Sequence, residues 1–430
     1  MILKFLVENW LSFKKEASLS MIGSKERQHG DRIVHLPSMQ LKVLPIAVIY
    51  GGNASGKTNF FKALSFMKQL IVQGTHPDNF IPVEPFFDLK EPDHPSRFEI
   101  TLLIDETVYE YGFSVTRHSV IEEKLIQVNR SSEKVLYHRK NNQPHFSPSL
   151  AKDPALEFAF KGTRNNQLFL TNTVSQNIDA FRPIYDWFKI QLELIAPDTR
   201  FGPFELFLDE GNPLYSQMNK LLSQLDTGIS RLGGESIPFA NLPLPETSKL
   251  QLQQTVKEGM AVRVLNPLQN DRFIVSRKNG ELIAKKLVTY HKKTDGTESK
   301  FNIDQESTGS QRIINLLPAI LEASESSSKR TFVIDEIDRS LHTLLTRQLV
   351  EIFLSSCSSE NRSQLLVTTH DVLLMDQDLL RRDEMWLAER DAAGGSSLFS
   401  FSDFKDVRYD KDVRKSYLEG RLGGIPRIDA

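Results

Sequence analysis

One cysteine, Cys357, occurs in 430 residues. A lone thiol excludes an internal disulfide framework and any zinc or iron–sulfur site built on clustered cysteines, and it fits a reducing cytoplasm. Long apolar runs are missing as well. Nothing approaches the ~20 consecutive apolar residues that cross a bilayer, so no membrane partner is expected. The opening stretch MILKFLVENW turns polar too soon for a secretory leader. Neither sign of charge is in excess: 53 Lys+Arg against 55 Asp+Glu leaves a net −2. Any nucleic-acid contact must therefore come from a local patch, not from a global field. Internal repeats are lacking, and so is the sustained heptad pattern of a long coiled coil. What remains is an ordinary globular composition, 40% hydrophobic, long enough for one large or two to three modest domains.

The clearest positive signal begins at residues 43–50, a short and almost wholly apolar run of the kind buried on both faces of a sheet. It enters the turn Gly51-Gly52-Asn53-Ala54-Ser55-Gly56-Lys57-Thr58-Asn59, which fits the P-loop pattern G-x-x-x-x-G-K-[ST]. Phe60, Phe61, Ala63, Leu64, Met67 and Ile71 then recur at helical spacing. Strand, glycine turn and helix together are what phosphate binding needs. Glycines let backbone N–H groups curl around phosphate oxygens, and the helix start adds partial positive charge. Lys57 is expected to reach the β- and γ-phosphates of ATP, and the Thr58 hydroxyl to hold Mg²⁺.

A second apolar strand, residues 331–334, ends in Asp335-Glu336. This matches a Walker B strand, with Asp335 in the Mg²⁺ shell and Glu336 orienting or deprotonating the attacking water. Glu306-Ser307-Thr308-Gly309-Ser310-Gln311 precedes an apolar helix, with Gly309 26 positions before Asp335. It resembles the signature turn of ABC-type ATPases, a second anion-binding helix start that contacts a γ-phosphate held elsewhere. A Ser/Thr turn there is equally an ordinary N-cap. Asp338 stands where a D-loop is expected. His370 follows a third buried strand, where such enzymes carry a switch histidine.

Strand–helix alternation at both ends surrounds a different middle, and Asp335 lies 278 positions after Lys57. This predicts an α/β fold: an ABC-type P-loop ATPase head with a split core and a long α/β insertion. The expected division is 1–175, an N-terminal lobe with the P-loop and a β-rich subdomain; 176–265, a mainly helical insertion; and 266–430, a C-terminal lobe with the signature-like turn, Walker B and switch histidine. Residues 179–232 read as mostly helical, 236–247 as a loop, and 272–302 as strands turning at Asn279-Gly280. The Arg381-Arg382 pair reads as a solvated helix end or a polyanion contact.

These motifs are similar to the AAA_15/AAA_21 group of ABC-type ATPases, relatives of the RecF, SMC and OLD heads found in bacterial anti-phage systems. The resemblance runs through Asn9-Trp-Leu-Ser-Phe13, Gly51 to Thr58, Pro85-Phe86, Tyr185-Asp-Trp-Phe188, Asp226-x-Gly-Ile229, Glu306-Ser-x-Gly309 and Ile334-Asp-Glu-Ile337. It continues into the tail with Tyr417-Leu-Glu-Gly-Arg421 and Gly424-Ile-Pro426. It implies a Mg²⁺-dependent, cytoplasmic ATPase that closes head-to-tail around ATP as a dimer or higher homo-oligomer. Lys57 of one head would then face Ser307, Thr308 and Gly309 of the other. It also implies an effector encoded nearby, such as the TOPRIM nuclease of PARIS-like systems, and a DNA or phage-protein trigger. The alternative is a RecF-like repair ATPase that grips DNA. The sequence departs from the pattern at Ser-Thr-Gly-Ser-Gln, where transporters read Ser-Gly-Gly-Gln, and the expected Q-loop region near Glu84 to Phe87 has no glutamine.

Overall fold

The computed structural model describes residues 1–88, 94–199, 213–266, 271–404 and 413–424. Among the motif positions, Ile425 and Pro426 lie outside the described residues. The chain divides into two compact units. The first comprises Met1–Asp198, Ala323–Asp338 and Val350–Ala430; the second comprises Thr199–Glu322 and Arg339–Leu349. The division is thus discontinuous in both units, whereas the expected three segments were consecutive.

The first unit is built on a six-stranded sheet ordered Leu192–Ile195, Thr331–Ile334, Gln364–Thr368, Ile46–Tyr50, Met385–Arg390 and Ser396–Ser400. The first five run parallel and the last antiparallel. Ile46–Tyr50, Thr331–Ile334 and Gln364–Thr368 are buried at every position, as parallel strands covered on both faces must be. A seven-stranded antiparallel sheet lies in the same unit and runs from Gln143–Phe146 through Ile2–Glu8 to Ala17–Ser20. Its strands alternate, as Ser96–Ile104 shows with buried Phe98, Ile100 and Leu102.

The helix Lys57–Val72 binds these sheets together. Phe60 meets Phe5 edge-on at 5.2 Å between ring centroids, and Phe66 stacks at 4.9 Å on both Trp10 and Phe98. Each fully buried aromatic or aliphatic side chain contributes about 1.5–3 kcal/mol, so this helix is held chiefly by packing. Buried Gln364 adds a polar stitch: its amide donates to Ile2 O (2.9 Å) and Leu44 O (3.1 Å) and accepts from Ile2 N. A buried amide with its donors and acceptor matched costs little and fixes register.

Two local expectations change. The helix Arg182–Asp186 passes into a π turn, Trp187–Gln191, and residues read as its continuation become the strand Leu192–Ile195. Leu-Glu-Leu-Ile satisfies either period, and the open edge of Thr331–Ile334 decides for a strand. Arg381 and Arg382 are neither a solvated helix end nor a polyanion contact. Arg381 is fully buried, donating to Asp383 at 2.7 Å and to Gln28 O at 2.6 Å, while Arg382 pairs with Glu26. Nearby, burial pushes Glu384 up to about 7 against the opposing pull of Arg32, to which it is hydrogen-bonded.

The second unit carries a five-stranded antiparallel sheet: Arg231–Pro238, Glu281–Lys292, Asp271–Lys278 and Ala261–Asn266 in order, with Glu298–Asn302 also on Glu281–Lys292. Asn279 and Gly280, both at positive φ (51° and 81°), make its tight turn. Leu242, Val256, Phe273, Val275 and Ala284 form a small core. Strands at Arg231–Pro238 and Ala261–Asn266 and a helix at Glu246–Thr255 occupy stretches read as helix and loop. Their polar alternation is weak, and sheet pairing across sequence settles them. Among the described residues, no helix is long and apolar enough to cross a membrane.

Candidate functional site

The strand Ile46–Tyr50 delivers the glycine turn to the carboxyl edge of the parallel sheet, and the turn leads directly into the helix Lys57–Val72. Two glycines are sterically required. A Cβ on Gly51 (φ +152°) would lie 2.4 Å from Ala388 O, and one on Gly56 (φ +111°) 2.5 Å from Ser396 Oγ. Lys57 Nζ donates to Gly51 O (2.7 Å) and Gly52 O (3.0 Å) and lies 3.4 Å from His370 Nδ1. Burial lowers the Lys57 ammonium to about 8, against the opposing pull of Asp335, Asp338 and Glu336. Asn53 and Ala54 are exposed at the turn's tip, and the buried Ser55 hydroxyl has no hydrogen-bond partner.

One hydroxyl organises the acidic side. Thr368 Oγ1 donates to Asp335 Oδ1 at 2.5 Å and accepts Glu336 N–H at 2.8 Å. Glu336 sits in the left-handed region (φ 48°), a conformation that costs a non-glycine residue on the order of 1 kcal/mol. That bond and Ile337 N–H to Thr368 O (3.0 Å) hold it there. Asp338 accepts the His370 N–H at 3.2 Å, so the D-loop position fixes the backbone of the histidine. His370 titrates below its usual value, first through burial and then through the Lys57 cation. Both causes disfavour a proton on the imidazole.

These residues share one cavity of about 830 Å³. Asn53 to Asn59, Glu336 and His370 line it together with Leu11, Ser12, Glu84, Pro85, Phe87, Arg117 and Arg390. Asp335 lies buried behind it. Its chemistry fits Mg²⁺ with a polyphosphate. The cradle has no room for a Cβ at two points, a buried hydroxyl awaits a partner, and Lys57 supplies the cation. Thr58 and Asp335 carry hard oxygens of the kind that would hold Mg²⁺. Among the described residues, no group of three His, Cys, Asp or Glu gathers as a metal cluster.

Ser307, Thr308 and Gly309 belong to the second unit. Ser307 Oγ accepts Ser310 N–H at 3.1 Å, an N-cap for the helix Thr308–Ser324. Glu306 accepts from Thr289 Oγ1 and from His291 Nε2 (2.7 Å). A Cβ on Gly309 would lie 2.8 Å from Ser340 O, so this glycine admits a close backbone approach. Ser307 and Thr308 stay exposed.

Three features of the cavity escaped sequence reasoning. The Thr368 hydroxyl, two residues before His370, ends the strand beside Walker B, and that position is a usable signal. The Asn9-to-Phe13 motif acts as a brace. Trp10 Nε1 donates to Asn59 O, Asn59 Nδ2 to Ser12 Oγ at 2.8 Å, and Phe86 N to Asn9 Oδ1 at 3.0 Å. The tail also reaches the turn: Gly424 O accepts from Gly52 N (3.0 Å) and from the Tyr417 hydroxyl (2.9 Å).

The family model AAA_21, described as "AAA domain, putative AbiEii toxin, Type IV TA system", matches residues 46–376. No curated protein matches the chain. Among solved structures, "SMC head domain from Thermotoga maritima" aligns with 93% of this chain and 98% of its own length, at 13% identity and a TM-score of 0.37. "Crystal structure of the SmcHead bound to the C-winged helix domain of ScpA" aligns with 93% and 97%, at 12% identity and the same TM-score.

Proposed function

Since this chain belongs to the AAA_21 family, we propose that it is a Mg²⁺-dependent ATPase whose nucleotide state governs a partner effector in anti-phage defence. The observation that carries the reading is the Thr368 hydroxyl. It bonds both Asp335 and Glu336, the latter aimed into the cavity that Lys57 enters. Lys57 and the turn from Gly51 to Asn59 bind the phosphates, and Thr58 and Asp335 would hold Mg²⁺, which would supply positive charge against the phosphate oxygens. Glu336 accepts a proton from the attacking water. His370 contacts the γ-phosphate, donating to one of its oxygens.

Exposed Ser307 and Thr308 at the start of a 17-residue helix suit a γ-phosphate on a second copy, which supports a head-to-tail dimer. The family description names a putative toxin and a toxin–antitoxin system, which fits a head that works through an effector in the cytoplasm. Two variants test the core of the reading by equilibrium ATP binding and phosphate release. Lys57→Ala abolishes binding, whereas Glu336→Gln retains ATP and loses turnover at least a hundredfold. Wild-type turnover in Glu336→Gln removes the assigned base.

A further inference from the structure

The cavity lining is chemically mixed. Lys57, Glu336 and His370 belong to it, with His370 Nδ1 3.4 Å from Lys57 Nζ. So do the apolar Leu11, Pro85 and Phe87, together with Glu84, Arg117 and Arg390. A nucleoside triphosphate asks for both characters, with its anionic oxygens and its flat, weakly polar base. The volume, about 830 Å³, suits a ligand of that size.

Phe87 is the unusual member of this wall. It is 73% exposed, although its neighbour Phe86 is buried and the two rings lie 4.6 Å apart. Its position is fixed from behind, because Phe86 N donates to Asn9 Oδ1 and Leu11 N to Glu84 O at 2.8 Å. Across from it stands the hairpin of Met385–Arg390 and Ser396–Ser400. A Cβ on Gly394 (φ +83°) would meet Phe87 Cζ and Arg390 Nη2, each at 3.2 Å. Ring and guanidinium thus flank one glycine. Arg390 uses its Nε on Gly394 O (3.2 Å), and among the described residues its terminal nitrogens carry no other hydrogen bond.

We infer that Phe87 is the stacking platform for the nucleotide base, with Arg390 closing the slot over Gly394 and donating to the base edge. This deepens the ATPase reading and rests on it. A preorganised, exposed aromatic ring loses little entropy on binding and gains a π-face contact that any purine can supply. Arg390 adds a cation beside that face.

Calorimetric titration of the full chain with MgATP and with magnesium tripolyphosphate, which has the phosphates and no base, tests it. The wild type binds ATP more tightly than tripolyphosphate. Phe87→Ala weakens ATP about tenfold, the scale of one base–aromatic stack, and leaves tripolyphosphate unchanged. Phe87→Trp keeps ATP affinity and supplies a second readout. The native Trp10, Trp187 and Trp386 are all buried, so an exposed indole at position 87 emits separately and is quenched by ATP but not by tripolyphosphate. The inference is overturned if Phe87→Ala binds ATP like the wild type, if both ligands weaken equally, or if the wild type does not distinguish them. If the wild type binds neither, the ATPase reading itself fails.

Discussion

Two glycine-bearing helix starts, at Lys57–Val72 and Thr308–Ser324, carry related sequence cues and have opposite surroundings. The first is buried: Gly51, Gly52, Ser55, Gly56 and Lys57 are closed in by Ala388, Ser396, Ser12 and the tail carbonyl of Gly424. The second is open, with Ser307 and Thr308 in solvent and its cap made by Ser307, whose hydroxyl accepts the Ser310 N–H. The difference is between a cradle completed by its own unit and a turn whose exposed hydroxyls have no such enclosure. Serine and glycine at a helix start therefore do not by themselves make an enclosed turn. The atoms that press on them from distant strands do.

Substituting the two glycines breaks this comparison most directly. Gly51→Ala drives a methyl into the backbone of the central sheet and should cost roughly 2–4 kcal/mol in urea unfolding, along with loss of ATP binding. Gly309→Ala also meets a backbone oxygen, Ser340 O at 2.8 Å, but outside the left-handed region and beside an exposed Ser340, and should cost about 1–2 kcal/mol. Equal costs would mean that the enclosure of the first helix start is not what sets it apart.

Thr368→Val is next in size. It removes the hydroxyl shared by Asp335 and Glu336 and leaves the cradle intact. Phosphate release should fall about 10–100-fold with ATP affinity kept within about threefold. A comparable loss of affinity would show that this hydroxyl serves binding as much as positioning.

Titration distinguishes the two regions again. Lys57 is lowered to about 8 in the free protein, and a bound polyphosphate restores its proton. ATP affinity is therefore full below pH 8 and falls as pH rises through it, by about tenfold between pH 7 and pH 9 in calorimetry. The free protein shows the converse. The unfolded chain holds the Lys57 proton up to its ordinary, higher value, so this residue makes folding more favourable as pH rises from 8. A pH-independent ATP affinity would place the phosphates away from Lys57.

The smallest effect is expected at the open turn. Ser307→Ala loses one N-cap, about 1 kcal/mol by urea unfolding. If the proposed dimer forms, it also lowers turnover at dimer-forming concentrations without changing ATP affinity in the monomer. Unchanged turnover would leave Ser307 a cap alone.

Much of the first unit was legible because its signals are local. A fully buried strand, a glycine turn and an amphipathic helix are consecutive in sequence, and residues 331–336 and 364–370 repeat the pattern of an apolar strand ending in polar chemistry. The strand Leu192–Ile195 was misread because four residues satisfy either period until a sheet edge claims them. Arg381 looked like a surface charge because nothing nearby in sequence announces that Gln28 O and Asp383 enclose it.

By itself, the sequence determined the glycine turn between strand and helix, the apolar strand that ends in Asp335-Glu336 and the α/β character, because each depends on residue types at short, fixed spacing. Only the tertiary structure decided which of those groups meet. Thr368 reaches Asp335 because parallel strands place their ends side by side, and Glu336 turns into the cavity because that hydroxyl holds its N–H. Phe87 faces the cavity because Asn9, more than seventy residues earlier, fixes the chain behind it. Such contacts depend on strand order and on close packing across long sequence separations, which composition and periodicity do not encode.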